Sequence, residues 1–256
     1  MSVVRCIILA LLVAACERNS GGLGPSQTPT LGAVRIAGPP TIDGILTDAA
    51  WRLADATGPF VETRGGGLAS VEASAKVLWD DRYLYVAVAV RDDLLMASDT
   101  DRDAHLWQQD CVELMIAPRP DATGYFEIEV SPRGVVFDTR YDSRRSPAPF
   151  GHVDWDSGIR AAAKPRGEID DDEPDGGYGV EMAIPWQAFS PGGAEARPPA
   201  LGDEWRVNLY VLDLGRDGQR AAAWSPLGVG DFHVPGRFGS LTFEGSERLE
   251  SPGAPH

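Results

Sequence analysis

An antiparallel β-sandwich of the immunoglobulin or jelly-roll kind, with one or two short helices, is the architecture these residues predict. The 29 Gly and 20 Pro interrupt the chain too often for long helices. Seven Trp, 8 Phe and 6 Tyr supply bulky side chains for a two-layer core. Short apolar runs recur between Gly, Pro and Asp clusters, the cadence of a sandwich.

Taken along the chain, the first element is a short helix from Asp48 to Ala54 with Thr47 as its N-cap. Glu72 to Trp79 and Tyr83 to Val90 are β-rich runs on either side of Asp80-Asp81-Arg82, a turn cluster that suits a hairpin. The second run is apolar on both faces, the pattern of a central strand covered on two sides. Further strands are Val112 to Ala117, Tyr125 to Ser131, Val135 to Thr139 and Ile159 to Ala163. In the strand from Tyr125, Phe126, Ile128 and Val130 alternate with Tyr125, Glu127 and Glu129, so one face is expected to be wet. The acidic run from Asp170 to Asp175 reads as a solvated hairpin tip. Tyr178 to Ile184 follows, then a second short helix at Pro185-Trp186, where proline suits the first helical position. Trp205 to Leu212 places Trp205, Val207, Leu209 and Val211 inward and Arg206, Asn208 and Tyr210 outward, and Gly239 to Phe243 is the last strand.

Residues 1–15 have a basic start, an apolar run and small residues, as an export signal does; the run is too short to span a bilayer. Leu12-Val13-Ala14-Ala15-Cys16 resembles a bacterial lipobox, which implies that Cys16 is lipidated and becomes the first mature residue. Glu17 at the next position favours the outer membrane of a Gram-negative envelope, with the lipid as the only membrane contact. Residues 16–32 read as a flexible tether, 33–247 as one sandwich domain and 248–256 as a disordered tail. Processing would leave Cys111 alone inside the domain, where neighbouring acids disfavour a thiolate, so it reads as a small buried hydrophobe. The net charge of -15 repels phosphate backbones and excludes nucleic acid as an expected partner.

Trp107 to Glu113 supplies an aromatic ring, two amides and carboxylates at a strand entrance, as compatible with a core tryptophan as with a sugar platform. The loop Asp231 to Gly239 adds Phe232, His233 and Arg237, and suits a ligand loop or a structural corner equally. Asp99, Asp101 and Asp103 are spaced like the start of a calcium loop, with Asp110 at its twelfth position. However, Ala104 replaces the turn glycine, so these acids and Asp43 are weak candidates for a looser calcium site. No nucleophile elbow, zinc helix, phosphate loop or dinucleotide glycine pattern occurs. Glycoside hydrolysis needs only two carboxylates, and no spacing here selects a pair, so a noncatalytic domain is expected.

The ordered segments Ile42-Asp43-Gly44 with Trp51, Val77-Leu78-Trp79-Asp80 with Leu84-Tyr85-Val86, Trp107 through Glu113, Glu181 to Trp186, Val207-Asn208 and Phe238-Gly239 together resemble the family 9 carbohydrate-binding modules and the broader DOMON-like superfamily. The resemblance covers nearly all of residues 36–244. It implies a β-sandwich, usually with structural calcium, that binds an oligo- or polysaccharide between two tryptophan rings with polar side chains around the rim, and so supports polysaccharide breakdown. On that resemblance Trp107 is the first stacking ring and Glu113 a carboxylate for sugar hydroxyls. Phe232 stands where a second tryptophan is usual, and Asn208 and His233 are further polar contacts. Glu127 and Glu129 fall where relatives carry Arg and Asn, which would repel a uronate. Two alternatives remain: a haem-binding redox domain using Met96, Met115 or Met182, and a protein-interaction scaffold using the same aromatic face.

Overall fold

The computed structural model describes residues 28–64, 67, 69–118, 123–190 and 197–246. The export signal, Cys16, most of the tether and the tail from residue 248 lie outside the described residues. Among the described residues there are twelve strands: β1 (Thr30–Arg35), β2 (Val61–Glu62), β3 (Glu72–Trp79), β4 (Tyr83–Arg91), β5 (Cys111–Ala117), β6 (Tyr125–Val130), β7 (Val136–Tyr141), β8 (Arg160–Pro165), β9 (Tyr178–Pro185), β10 (Glu204–Gly215), β11 (Gly218–Ala223) and β12 (Gly239–Glu244). β1 begins inside the segment read as tether, so Thr30 to Gly32 belong to the domain.

All twelve form one hydrogen-bonded sheet, ordered β7-β6-β5-β10-β12-β1-β3-β4-β9-β8, with β11 on β10 and β2 on β11. The expectation of a purely antiparallel sandwich is corrected here, because β1 pairs parallel with both β12 and β3. Apolar alternation reads the same in either pairing, so orientation left no trace in the sequence. The sheet folds back until β6 approaches β8, giving two facing layers continuous through the β12–β1–β3 seam.

The helices are shorter than expected. They are 3₁₀ turns at Ala49–Arg52, Leu106–Gln108, Trp186–Phe189 and Pro235–Arg237. Asp48, not Thr47, is the N-cap of the first, and Pro185 caps the third from outside rather than entering it. The hairpin turn has a visible cause: Asp80 Oδ1 accepts the N–H groups of Arg82 and Tyr83 at 2.7 and 2.8 Å, and its Oδ2 accepts the Tyr85 hydroxyl at 2.8 Å.

Between the layers lies the main core, which includes Val86, Val88, Leu114, Ile128, Val180, Leu209 and Phe243. Two further clusters lie on the outer faces. Trp51, Ile36 and Leu53 cover Leu78, Tyr85 and Ala183 on one; Leu106, Leu227 and Phe238 cover Cys111, Tyr125 and Tyr210 on the other. These covers correct the prediction of a wet face. Glu127, Glu129, Asn208 and Tyr210 do point away from the main core, but loops roof them and all four are buried. The acidic run after β8 is likewise more than a solvated tip. Asp170 Oδ1 accepts the Ala97 N–H and Asp175 Oδ2 the Leu95 N–H, both at 2.8 Å, and Asp170 pairs with Arg133 at 2.7 Å.

One staple unites three of the sequence segments. Glu181 on β9 accepts the N–H groups of Asp43 and Gly44 at 2.9 Å each on Oε2, and the Trp51 indole N–H at 2.6 Å on Oε1. Gly44 has φ +80°, and a Cβ there would lie 2.5 Å from the backbone nitrogen of Lys164, so only glycine fits.

Candidate carbohydrate site

A cavity of about 220 Å³ opens on the outer face of β5, β6 and β7, beneath the loops that follow β7 and β11. Trp107 and Phe232 both line it, as do Glu113 and His233. Trp107 projects from the 3₁₀ turn before β5, which the buried Leu106 anchors to the outer cluster. Its ring is half-buried, stacked on His105 at 4.3 Å and met edge-on by Phe137 at 5.2 Å. Phe232 lies flat on Tyr210 at 4.6 Å and 4°. Each of the two rings is therefore braced by another ring rather than left to rotate. Phe150, from the loop after β7, is a third aromatic wall, 5.1 Å from Trp107.

The floor is acidic. Glu113 on β5 stands opposite Glu129 on β6, and Glu127, two residues back, shares that face. One oxygen of each lies within 4.8 Å of the others. Burial first, and then repulsion from Glu127, holds the Glu113 carboxyl well above the usual carboxylate range. Glu129 is raised by burial and by both neighbours, while the Trp107 backbone N–H bonded to it works the other way. Glu127 is also raised by burial, against hydrogen bonds from Glu129 and Tyr141. Among the described residues, Glu113 Oε1, Glu127 Oε2 and Glu129 Oε1 have no hydrogen-bond partner. The nearby Cys111 is fully buried, its thiol pushed up by burial and by Glu129 and Glu113, which suits a packing residue and not a nucleophile.

Around this floor the cations are engaged elsewhere. Arg145 donates to Asp231 at 2.7 and 3.0 Å, and Arg144 also pairs with Asp231. Burial works to raise the Asp231 carboxyl, but the two arginines bring it down to about 2. Burial, and Arg145 after it, lowers His233 to about 4. The imidazole is then neutral near neutral pH: Nδ1 shares a hydrogen bond with the Tyr125 hydroxyl at 2.7 Å, and Nε2 lies 3.9 Å from Glu127.

Asn208 does not line the cavity, and its expected sugar contact is corrected. Its amide is fully buried, donating to the Ser225 carbonyl at 2.9 Å and accepting the Ser225 N–H at 2.8 Å. It anchors the start of the loop that carries Phe232 and His233. Phe150, Tyr141, Arg145 and Gln219 line the cavity without having been foreseen. Of these, Tyr141 had a readable signal, since β7 places it on the face of Phe137. Phe150 lies in Pro147-Ala148-Pro149-Phe150, a segment with no periodicity to read.

The weak metal candidates do not gather into one acidic group among the described residues. Asp101 and Asp103 are exposed, with Asp103 beside Arg102; Asp99 accepts from Gln109, and Asp43 accepts the Ile45 N–H. Among the described residues the other buried acidic group is Asp92, Asp110 and Asp213, from the ends of β4 and β10 and the start of β5.

A model of the family described as carbohydrate family 9 binding domain-like matches residues 42–246. Endo-1,4-beta-xylanase A of Thermotoga neapolitana is 30% identical over 210 residues, covering 80% of this chain and 17% of the xylanase. Endo-1,4-beta-xylanase A of Thermotoga maritima is 29% identical over 212 residues, with the same 80% and 17%. The chain thus spans only about a sixth of the length of these curated relatives. Among solved structures, a family 9 carbohydrate-binding module from Caldicellulosiruptor kristjanssonii in complex with cellotriose has a TM-score of 0.57 and 20% identity, covering 88% of this chain and all of that one. A protein from Bacteroides uniformis has a TM-score of 0.67 and 18% identity, covering 85% of this chain and all of that one. At these identities the two structures show a shared fold.

Proposed function

The chain belongs to the carbohydrate family 9 binding domain-like family, a group of noncatalytic carbohydrate-binding modules, and from that membership we propose that the cavity between Trp107 and Phe232 holds a sugar ring. The carrying observation is the pairing of braced aromatic rings with unpartnered carboxyl oxygens in one cavity. Sugars present C–H patches to such rings and hydroxyls to such oxygens. A cavity of about 220 Å³ suits one ring, the end of a chain rather than its middle. Calorimetry of the described domain against gluco- and xylo-oligosaccharides tests this. Saturable heats with the oligosaccharides are expected, and no heat with any sugar would refute the reading.

Lipidation of Cys16 would hold this module at the cell envelope on the segment before β1, a supporting arrangement for enzymes that act on polysaccharide. No helix among the described residues is long and apolar enough to cross a membrane. Release of a Cys16→Ser protein from the membrane fraction is the expected result, and unchanged fractionation would count against the anchor.

A structural calcium suits Asp92, Asp110 and Asp213. All three are buried, and Asp92 Oδ2 and Asp213 Oδ1 have no hydrogen-bond partner among the described residues. The Asp110 oxygens are oriented by the Met96 and Leu214 N–H groups at 2.6 and 2.7 Å. Arg220 neutralises one carboxylate, at 2.6 Å from Asp213, which leaves the group negative. Bound calcium would fasten the ends of β4, β5 and β10 together. At a hundredfold excess over Kd it adds about 2.7 kcal/mol, a rise of about 5–10 °C in Tm for a domain of this size. Scanning calorimetry with calcium and with chelator measures this, and equal Tm values would remove calcium from the account.

A further inference from the structure

Three buried carboxyls are more acid than a neutral sugar needs. Glu113, Glu127 and Glu129 are 2%, 5% and 0% exposed, all three line the cavity, one oxygen of each lies within 4.8 Å of the others, and each has one oxygen without a hydrogen-bond partner among the described residues. We propose that the ring selected by this cavity carries a protonated amine, so that the preferred ligand class is an amino sugar with a free amino group. The inference rests on the reading of the cavity as a sugar site and narrows it.

An ammonium group presents three N–H donors and no acceptor, which suits a floor of three carboxyls that each keep one oxygen without a hydrogen-bond partner among the described residues. A hydroxyl offers one donor and makes no charge-assisted contact with these carboxyls. The protein itself leaves the floor uncompensated: Arg145, the cation whose field reaches Glu113 and Glu127, is held by Asp231, and His233 is neutral. Burial favours the neutral form of Glu113 and Glu129, and an arriving cation works against that preference. The walls agree with an organic cation. Trp107 and Phe232 offer ring faces that attract positive charge. A bare metal ion would leave most of the roughly 220 Å³ and its aromatic lining unused. The net charge of -15 draws cations to the whole molecule.

Calorimetry of the described domain at low salt with glucosamine, N-acetylglucosamine, glucose and glucuronic acid decides the matter. Glucosamine is expected to bind about tenfold or more tighter than glucose or the acetylated sugar, as a charge-assisted contact predicts, and glucuronic acid weakest. Glu127→Gln is expected to shrink that advantage to near unity. Glucose or N-acetylglucosamine binding as tightly as glucosamine overturns the amine preference and leaves the sugar site standing. No heat with any of the four overturns both. Calcium chloride alone, titrated into Trp107→Ala and into Glu127→Gln, provides the remaining arm: one more equivalent of calcium bound by the first than by the second makes the floor a metal site and overturns the proposal. Should Glu127→Gln fail to fold, the wild-type ratios decide alone.

Discussion

Trp51→Ala is expected to destabilise the domain by about 3–5 kcal/mol, the range for truncating a large buried aromatic side chain. Trp51 is only 2% exposed and packs on Leu78, Tyr85 and Ala183 against the outer face of β3, β4 and β9. Truncation opens a cavity that a β-sheet wall cannot collapse to fill. It also removes the indole N–H from Glu181, which is then left with the Asp43 and Gly44 amides alone. A buried carboxyl deprived of a donor adds its own cost to the lost packing. Because domains are stable by only about 5–15 kcal/mol, such a loss takes up a large share of the whole. Denaturant unfolding should show a lower midpoint at unchanged slope; a midpoint equal to wild type would mean that Trp51 is not part of the supporting structure described above. Glu181→Gln, which keeps the shape and loses one acceptor, should fall between the two.

That staple also shows how far the sequence carries. Ile42-Asp43-Gly44, Trp51 and Glu181 stand far apart in the chain, and only the fold shows that they are one contact. The β3–β4 hairpin was legible because Asp80 acts locally and the flanking runs are apolar. β1 and β11 were not, since Thr30–Arg35 contains Gly32 and Gly218–Ala223 is Gly-Gln-Arg-Ala-Ala-Ala, with no β-branched residue to mark it. Alternation placed Glu127 and Glu129 on the correct face, but a roof built from non-periodic loops left nothing to read, so that face looked wet. The close spacing of Asp99, Asp101 and Asp103 drew attention as a metal loop. The buried acids that do gather are instead brought together by sheet register from three distant strand ends.

Trp107→Ala is expected to weaken sugar binding by about thirtyfold or more, equivalent to about 2 kcal/mol, as for an aromatic anchor at the centre of a binding site. The variant isolates the indole. The backbone N–H of Trp107 faces Glu129 and its carbonyl accepts from Gln219, and both contacts survive truncation of the side chain. Stability should change little, because Trp107 is half-buried at the margin of the outer cluster while Leu106 beside it carries the packing. Phe232→Ala is the companion test from the second ring that lines the cavity, where it rests on Tyr210, and the Tyr210 hydroxyl still reaches the backbone carbonyl of residue 232 at 3.1 Å. If the two rings hold one ligand between them, the double variant should lose less than the sum of the single losses, since a sugar released from one plate no longer feels the other. Additive losses would mean that the rings act on separate ligands. Unchanged affinity in Trp107→Ala, with the fold intact by circular dichroism, would move the sugar out of this cavity altogether.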